Sequence, residues 1–241
     1  MLSTFADGRI FGEVYGTPPP RVVALHGWAR SHADFDRVLE GCDAVALDLP
    51  GFGATPDPPP EWGSPQYAAL VAEVLRVLPT PPVVVGHSMG GCVGVHLAAT
   101  FPDLVRGLVL TGAPLIRVTV PTKPKAGYRT VRWLNRRGLI SDARMNAARE
   151  KNYAEDWRNA SPGMRPIFVN RVSENYDDAI AAIRCPLRLV WGEGDTAAPV
   201  AGAEELARRT GASLEVVAGA GHMTPFTAVD ALRKAIKEMS A

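Results

Sequence analysis

The 241-residue chain is 46% hydrophobic and 21% charged, with a formal net charge of +1. These values fit a globular protein with a sizeable core and argue against general nucleic-acid binding. Three cysteines (Cys42, Cys92 and Cys185), odd in number and without a C-x-x-C pair, argue against a disulfide framework or a zinc site.

No run of ~18 apolar residues predicts a membrane span. "MLSTFADGRIF" lacks the basic flank and apolar core of a signal peptide, so the expected location is cytoplasmic. In chain order, "RIFGEVYG" reads as an antiparallel outer strand. "RVVALHG" (21–27) and "DAVALDLPG" (43–51) follow as unalternating Val- and Leu-rich runs, the pattern of strands buried on both faces of a parallel sheet. In "PQYAALVAEVLRVLP", Tyr67, Leu70, Val71, Val74, Leu75 and Leu78 share one helical face.

"PPVVVGHS" (81–88) is the next strand, and the helical "MGGCVGVHLAATF" follows it directly. "VRGLVLTG" (105–112), "LRLVWGEGD" (187–195) and "SLEVVAGAGH" (213–222) complete the buried runs, with amphipathic "GAEELARRT" and "AVDALRKAIKEM" as the last helices. The alternation predicts a mostly parallel α/β sheet with helices on both faces. From 113 to 184 the rhythm breaks into short helical patterns. The expected organisation is therefore a core over 1–112 and 185–241, with a helical lid inserted at 113–184.

"Gly86-His87-Ser88-Met89-Gly90" matches G-x-S-x-G between a strand and a helix. Such a turn is sharp and strained. Gly86 and Gly90 remove side chains that would clash across it, and Gly91 lets the helix pack close. A packing turn with a chance serine is the competing reading, and only partners elsewhere can decide. A serine hydroxyl needs a base, and the base an orienting acid. Asp195 follows the strand "LVWG" and His222 follows "VVAG", in the order and at the strand ends that this architecture requires. Glu193 competes as the acid. Asp195 could instead cap the helix beyond Pro199, and His222 could be a buried core histidine. The backbone N–H groups of Trp28, in "LHGWARS", and of Met89 are the expected oxyanion donors. The Trp28 side chain either walls an acyl pocket or packs.

These residues resemble the α/β-hydrolase superfamily. The matches are His26-Gly27-Trp28, "DLPGFG" (48–53), "GHSMGG" (86–91), "WGEGD" (191–195) and "GAGH" (219–222). The resemblance implies an eight-stranded sheet, a helical cap after the sixth strand, and Ser88, Asp195 and His222 as a triad without metal or organic cofactor. The short N-terminal strands suggest that one of the eight is missing. Dehalogenases and epoxide hydrolases of the superfamily carry aspartate at the Ser88 position, so serine argues against both; cofactor-free haloperoxidases share the serine triad. The implied function is a serine carboxylesterase for small to medium acyl esters. A non-catalytic ligand-binding member of the fold is the alternative from another class.

Residues 117–171 hold thirteen Lys and Arg against four Asp and Glu, a balance of +9 that leaves −8 on the remainder. A basic lid on an acidic body is either a solvated face or a site for an anionic substrate, such as a coenzyme A thioester, a carboxylate-bearing ester or an acidic acyl carrier protein. "HGW" followed by "DLPGFG" also resembles the methyl esterases that act on pimeloyl-carrier-protein in biotin synthesis. Tyr128, Trp133 and Phe168 are candidates to line an acyl pocket beside Trp28, or to glue the lid down.

Overall fold

In a computed structural model describing residues 2–118, 126–152 and 155–240, the Val- and Leu-rich runs form the middle of an eight-stranded sheet. The strands are β1 (Leu2–Phe5), β2 (Ile10–Tyr15), β3 (Val22–Leu25), β4 (Ala44–Asp48), β5 (Val83–His87), β6 (Gly107–Thr111), β7 (Leu187–Gly192) and β8 (Ser213–Val217). Their order is β1-β2-β4-β3-β5-β6-β7-β8. The β1–β2 and β2–β4 pairs are antiparallel, and the rest are parallel.

The helices are α1 (Asp36–Leu39), α2 (Ser64–Arg76), α3 (Met89–Thr100), α4 (Ala126–Arg136), α5 (Asp142–Asn152), α6 (Glu155–Asn159), α7 (Met164–Val172), α8 (Asp177–Ala182), α9 (Val200–Thr210), α10 (Thr224–Thr227) and α11 (Val229–Ser240). The period-2 alternation of each strand divides the core between the two faces of the sheet. Val23, Leu25, Val45, Leu47 and Val84 pack with Tyr67 and Val71 of α2, Val93 and Leu97 of α3, and Leu206 of α9. Val22, Ala24, Ala46, Val83 and Val85 face Phe35, Val38 and Leu39 on one side chain cluster with Leu232 and Ile236 of α11. Each fully buried Val or Leu contributes roughly 1.5–3 kcal/mol of transfer free energy, which is why this double-sided burial sets the register.

Two sequence expectations change at the N-terminus. "RIFGEVYG" forms β2, which lies inside the sheet between β1 and β4 rather than at its edge, and all eight strands are present. The edge strand β1 has only the short, half-exposed "LSTF". It carries no apolar run because an edge strand with an exposed face has little to bury.

Between β6 and β7 come α4 to α8, and among the described residues this segment has no strand. Met164, Ile167 and Phe168 of α7 and Ile180 of α8 are buried in the same cluster as the sheet's α2/α3 face. Asn170 Nδ2 donates to the carbonyl oxygens of Pro60 and Trp62, each at 3.2 Å. No helix among the described residues is long and apolar enough to cross a membrane.

Candidate active site

Ser88 follows β5 and immediately precedes α3, with φ +51° and ψ −113°. A non-glycine residue there costs about 1–3 kcal/mol and persists only when its surroundings hold it. They do. The Ser88 N–H donates to the Thr111 carbonyl at 2.9 Å, while the Gly90 N–H donates to the His26 carbonyl at 3.0 Å. The glycines are required by close approach: a Cβ on Gly90 would lie 2.0 Å from the Leu25 carbonyl oxygen, and one on Gly86 would lie 2.6 Å from the Gly90 oxygen. The tight turn leaves Ser88 partly exposed while Gly86, His87, Met89 and Gly90 are buried. Its hydroxyl makes no hydrogen bond among the described residues.

His222 follows β8, and its Nδ1–H donates to Asp195 Oδ2 at 2.9 Å. That bond leaves Nε2 as the acceptor nitrogen. The Asp195 side chain is fully buried, whereas that of His222 is 28% exposed, so His222 opens outward rather than lying in the core. Asp195 Oδ1 also accepts the Ala197 and Ala198 N–H groups at 2.9 and 2.8 Å. It therefore orders its own loop as well as the imidazole, and α9 starts later, after Pro199. Glu193 is exposed and accepts only a long contact from the Gly219 N–H at 3.3 Å. Gly112 brings the pieces together, since a Cβ there would lie 3.1 Å from His222 Cε1 and 3.3 Å from Asp195 Oδ2.

His87 has a structural role that its sequence position did not announce. Its buried ring donates from Nε2 to the His222 carbonyl at 2.9 Å, and the two rings lie 5.0 Å apart. Burial, with the His222 ring adding to it, lowers the His87 pKa to about 4, so the ring is neutral. The Thr111 and Thr224 hydroxyls, 2.5 Å apart, further tie the His222 loop to the end of β6.

The loop after β3 is shaped by His26. The Leu49 N–H donates to His26 Nε2 at 2.9 Å, so Nδ1 carries the proton and donates to the Gly27 carbonyl at 2.7 Å. Complete burial lowers the His26 pKa to about 4. A Cβ on Gly27 would sit 3.3 Å from Ser88 Cβ, so this loop runs beside the serine. Among the described residues nothing accepts from the backbone N–H of Trp28 or of Met89. Asp48, in "DLPGFG", is a buried hub: Oδ1 accepts the His32 N–H at 2.7 Å and Oδ2 the Ala54 N–H at 2.9 Å. A carboxylate that accepts several N–H groups organises loops, and its only sequence signal was an aspartate at a strand end.

The Trp28 ring is largely buried. It meets Phe52 edge-on at 5.0 Å and Phe168 at 5.2 Å between centroids. Phe168 is thus packed against Trp28. Trp133 is not: it is 50% exposed, with Arg137 stacked over its ring at 4.3 Å. Its helix turns this residue to solvent, and an apolar residue among charges carries no sequence mark of which way it faces. Tyr128 lies on α4, and its side chain falls outside the described residues, as do Lys123 and Lys125. Among the described residues, no Lys or Arg of 117–171 is in an ion pair.

A hydroxyl held at a helix N-terminus, an imidazole oriented by a carboxylate, and two N–H groups without an acceptor among the described residues all lie at the C-terminal edge of the sheet. These are the parts that acyl transfer uses. Residues 22–235 match a family described as the alpha/beta hydrolase family. Esterase Rv0045c of Mycobacterium tuberculosis is 41% identical over 107 residues, 43% of this chain and 36% of that protein. A pimeloyl-[acyl-carrier protein] methyl ester esterase of Chromobacterium violaceum is 37% identical over 127 residues, 50% of this chain and 47% of that protein. The chain thus matches less than half the length of these two relatives. A thermophilic esterase from Thermogutta terrifontis superposes with a TM-score of 0.73 over 100% of both chains, at 23% identity, a likeness of fold.

Proposed function

We propose, for a chain that belongs to the alpha/beta hydrolase family, that it is a serine carboxylesterase working through an acyl-enzyme. The observation that carries this reading is the Asp195–His222 hydrogen bond of 2.9 Å at the same sheet edge as the Ser88 turn. Ser88 Oγ attacks the ester carbonyl while His222 Nε2 takes its proton. Buried Asp195 keeps the Nδ1–H tautomer in place and favours the imidazolium that forms. The Trp28 and Met89 N–H groups receive the oxyanion, aided by the positive end of α3. His222 then returns the proton to the leaving alkoxide, and water repeats the sequence on the acyl-enzyme. Segment 113–184 serves as the lid that bounds the acyl pocket, with Phe168 against Trp28.

Hydrolysis of p-nitrophenyl acetate tests this. Ser88→Ala is expected to lower kcat by about 10⁴-fold or more, and a fluorophosphonate probe to label the wild type at Ser88. Activity retained in Ser88→Ala overturns the assignment, and an unlabelled Ser88 favours a ligand-binding member of the fold.

A second reading, an esterase or thioesterase for a carrier-protein or coenzyme A-linked acyl group, is favoured by the excess of basic side chains at 117–171, none of which is in an ion pair among the described residues, and by similarity to the pimeloyl-[acyl-carrier protein] methyl ester esterase. It predicts that added salt weakens turnover of the anionic substrate and spares a neutral ester. Equal salt sensitivity removes it.

A further inference from the structure

Arg171, in the last turn of α7, holds its guanidinium over the Trp28 ring, with Cζ 5.3 Å from the centroid. Its Nε is buried without a hydrogen-bond partner, and among the described residues no carboxylate lies within ion-pair distance of it. The side chain lines a cavity of about 210 Å³ together with Ala113, Tyr176, Trp191 and Ala198.

This cavity lies beside the candidate reacting groups, none of which lines it. Ala113 follows Gly112, which lies against the His222 ring, and Ala198 donates its N–H to Asp195. The other two charged groups on the lining, Arg117 and Glu174, both have hydrogen-bond partners. Arg117 Nη2 donates to the carbonyls of Val172 and Glu174 at 2.6 and 3.2 Å. The Glu174 carboxylate accepts the Ser64 N–H at 2.7 Å and the Tyr176 hydroxyl at 2.6 Å. Neither arginine of the lining has a carboxylate in ion-pair distance, and among the described lining residues Arg171 alone has a buried guanidinium N–H without an acceptor. A buried guanidinium N–H without an acceptor is costly unless an anion arrives to meet it, and stacking on Trp28 offsets only part of that.

We propose that Arg171 binds a carboxylate at the far end of the acyl chain, so that half-esters of short dicarboxylic acids are the preferred substrates. The proposal rests on the esterase reading above. The planar guanidinium fork matches a carboxylate in two parallel hydrogen bonds. The apolar walls of Ala113, Trp191 and Ala198 suit methylenes. A cavity of about 210 Å³ suits a short chain.

The test compares ethyl hydrogen adipate with its neutral amide, ethyl adipamate. Wild type is expected to favour the half-ester in kcat/KM by about 30-fold, the range of a charge-assisted hydrogen bond. Arg171→Gln should bring that ratio close to one, and Arg171→Lys should keep part of it. No preference in wild type, or an unchanged ratio in Arg171→Gln, overturns the proposal while leaving the esterase reading intact. If Arg171→Gln does not fold, the wild-type ratio, Arg171→Lys and competitive inhibition by adipate decide the matter.

If wild type cleaves neither ester, the esterase reading fails separately. Calorimetric binding of adipate that Arg171→Lys weakens would still support the anion site, and absence of binding would sink it. Inorganic phosphate competing better than adipate would overturn the carboxylate class.

Discussion

The sheet edge and the segment at 113–184 are built on opposite terms. At the edge, each candidate catalytic side chain sits on a turn held by named bonds: Ser88 by the Thr111 carbonyl, Asp195 by the Ala197 and Ala198 N–H groups, and the His222 loop by His87. In the segment, α4 and α5 are largely exposed wherever side chains are described, and burial is concentrated in α7 and α8. The difference teaches where precision is needed. Acyl transfer tolerates little displacement of its reacting groups, and a sheet packed on both faces supplies that rigidity. Recognition of the rest of a substrate can be carried by a segment with fewer constraints.

The sharpest way to break this comparison is Asp195→Asn. It should lower kcat for p-nitrophenyl acetate by about 10³–10⁴-fold through loss of the imidazole's orientation. A loss of less than tenfold would mean that another acid, Glu193 first, serves His222.

A smaller effect concerns acid stability. All five histidines lie outside 113–184, and burial lowers the pKa of His26 and His87 from 6.5 to about 4. Between those values the unfolded chain binds protons that the folded one refuses. Stability is therefore full above pH 6.5, falls as pH drops by up to about 1.4 kcal/mol per pH unit for each histidine, and levels off below about 4. Urea unfolding at pH 7 and pH 5 should show this loss, and His87→Gln should shrink it. An undiminished loss in that variant would place the acid sensitivity in other groups.

The smallest effect belongs to the segment. Trp133→Ala should change unfolding free energy by less than about 0.5 kcal/mol and ester turnover by less than about twofold. A larger fall in turnover would show that α4 closes over the site, and would weaken the contrast drawn above.

By themselves the residues determined a good deal. Unalternating Val and Leu runs marked the parallel strands, because burial on both faces leaves no polar side to encode. The G-x-S-x-G turn, with an aspartate and a histidine after later strands, marked the candidate triad, because strand ends are where such a sheet can present side chains. What the residues left open was settled by contacts distant in sequence. Asp195 rather than Glu193 meets His222 because only Asp195 turns into the buried loop beside Gly112. Phe168, and not Trp133, reaches Trp28 because α7 is seated in the core while Trp133 faces solvent. β2 lies inside the sheet because "LSTF", too short and polar to mark itself, pairs along its edge. Local pattern records what a residue needs to bury, and only the packed fold decides which partner meets it there.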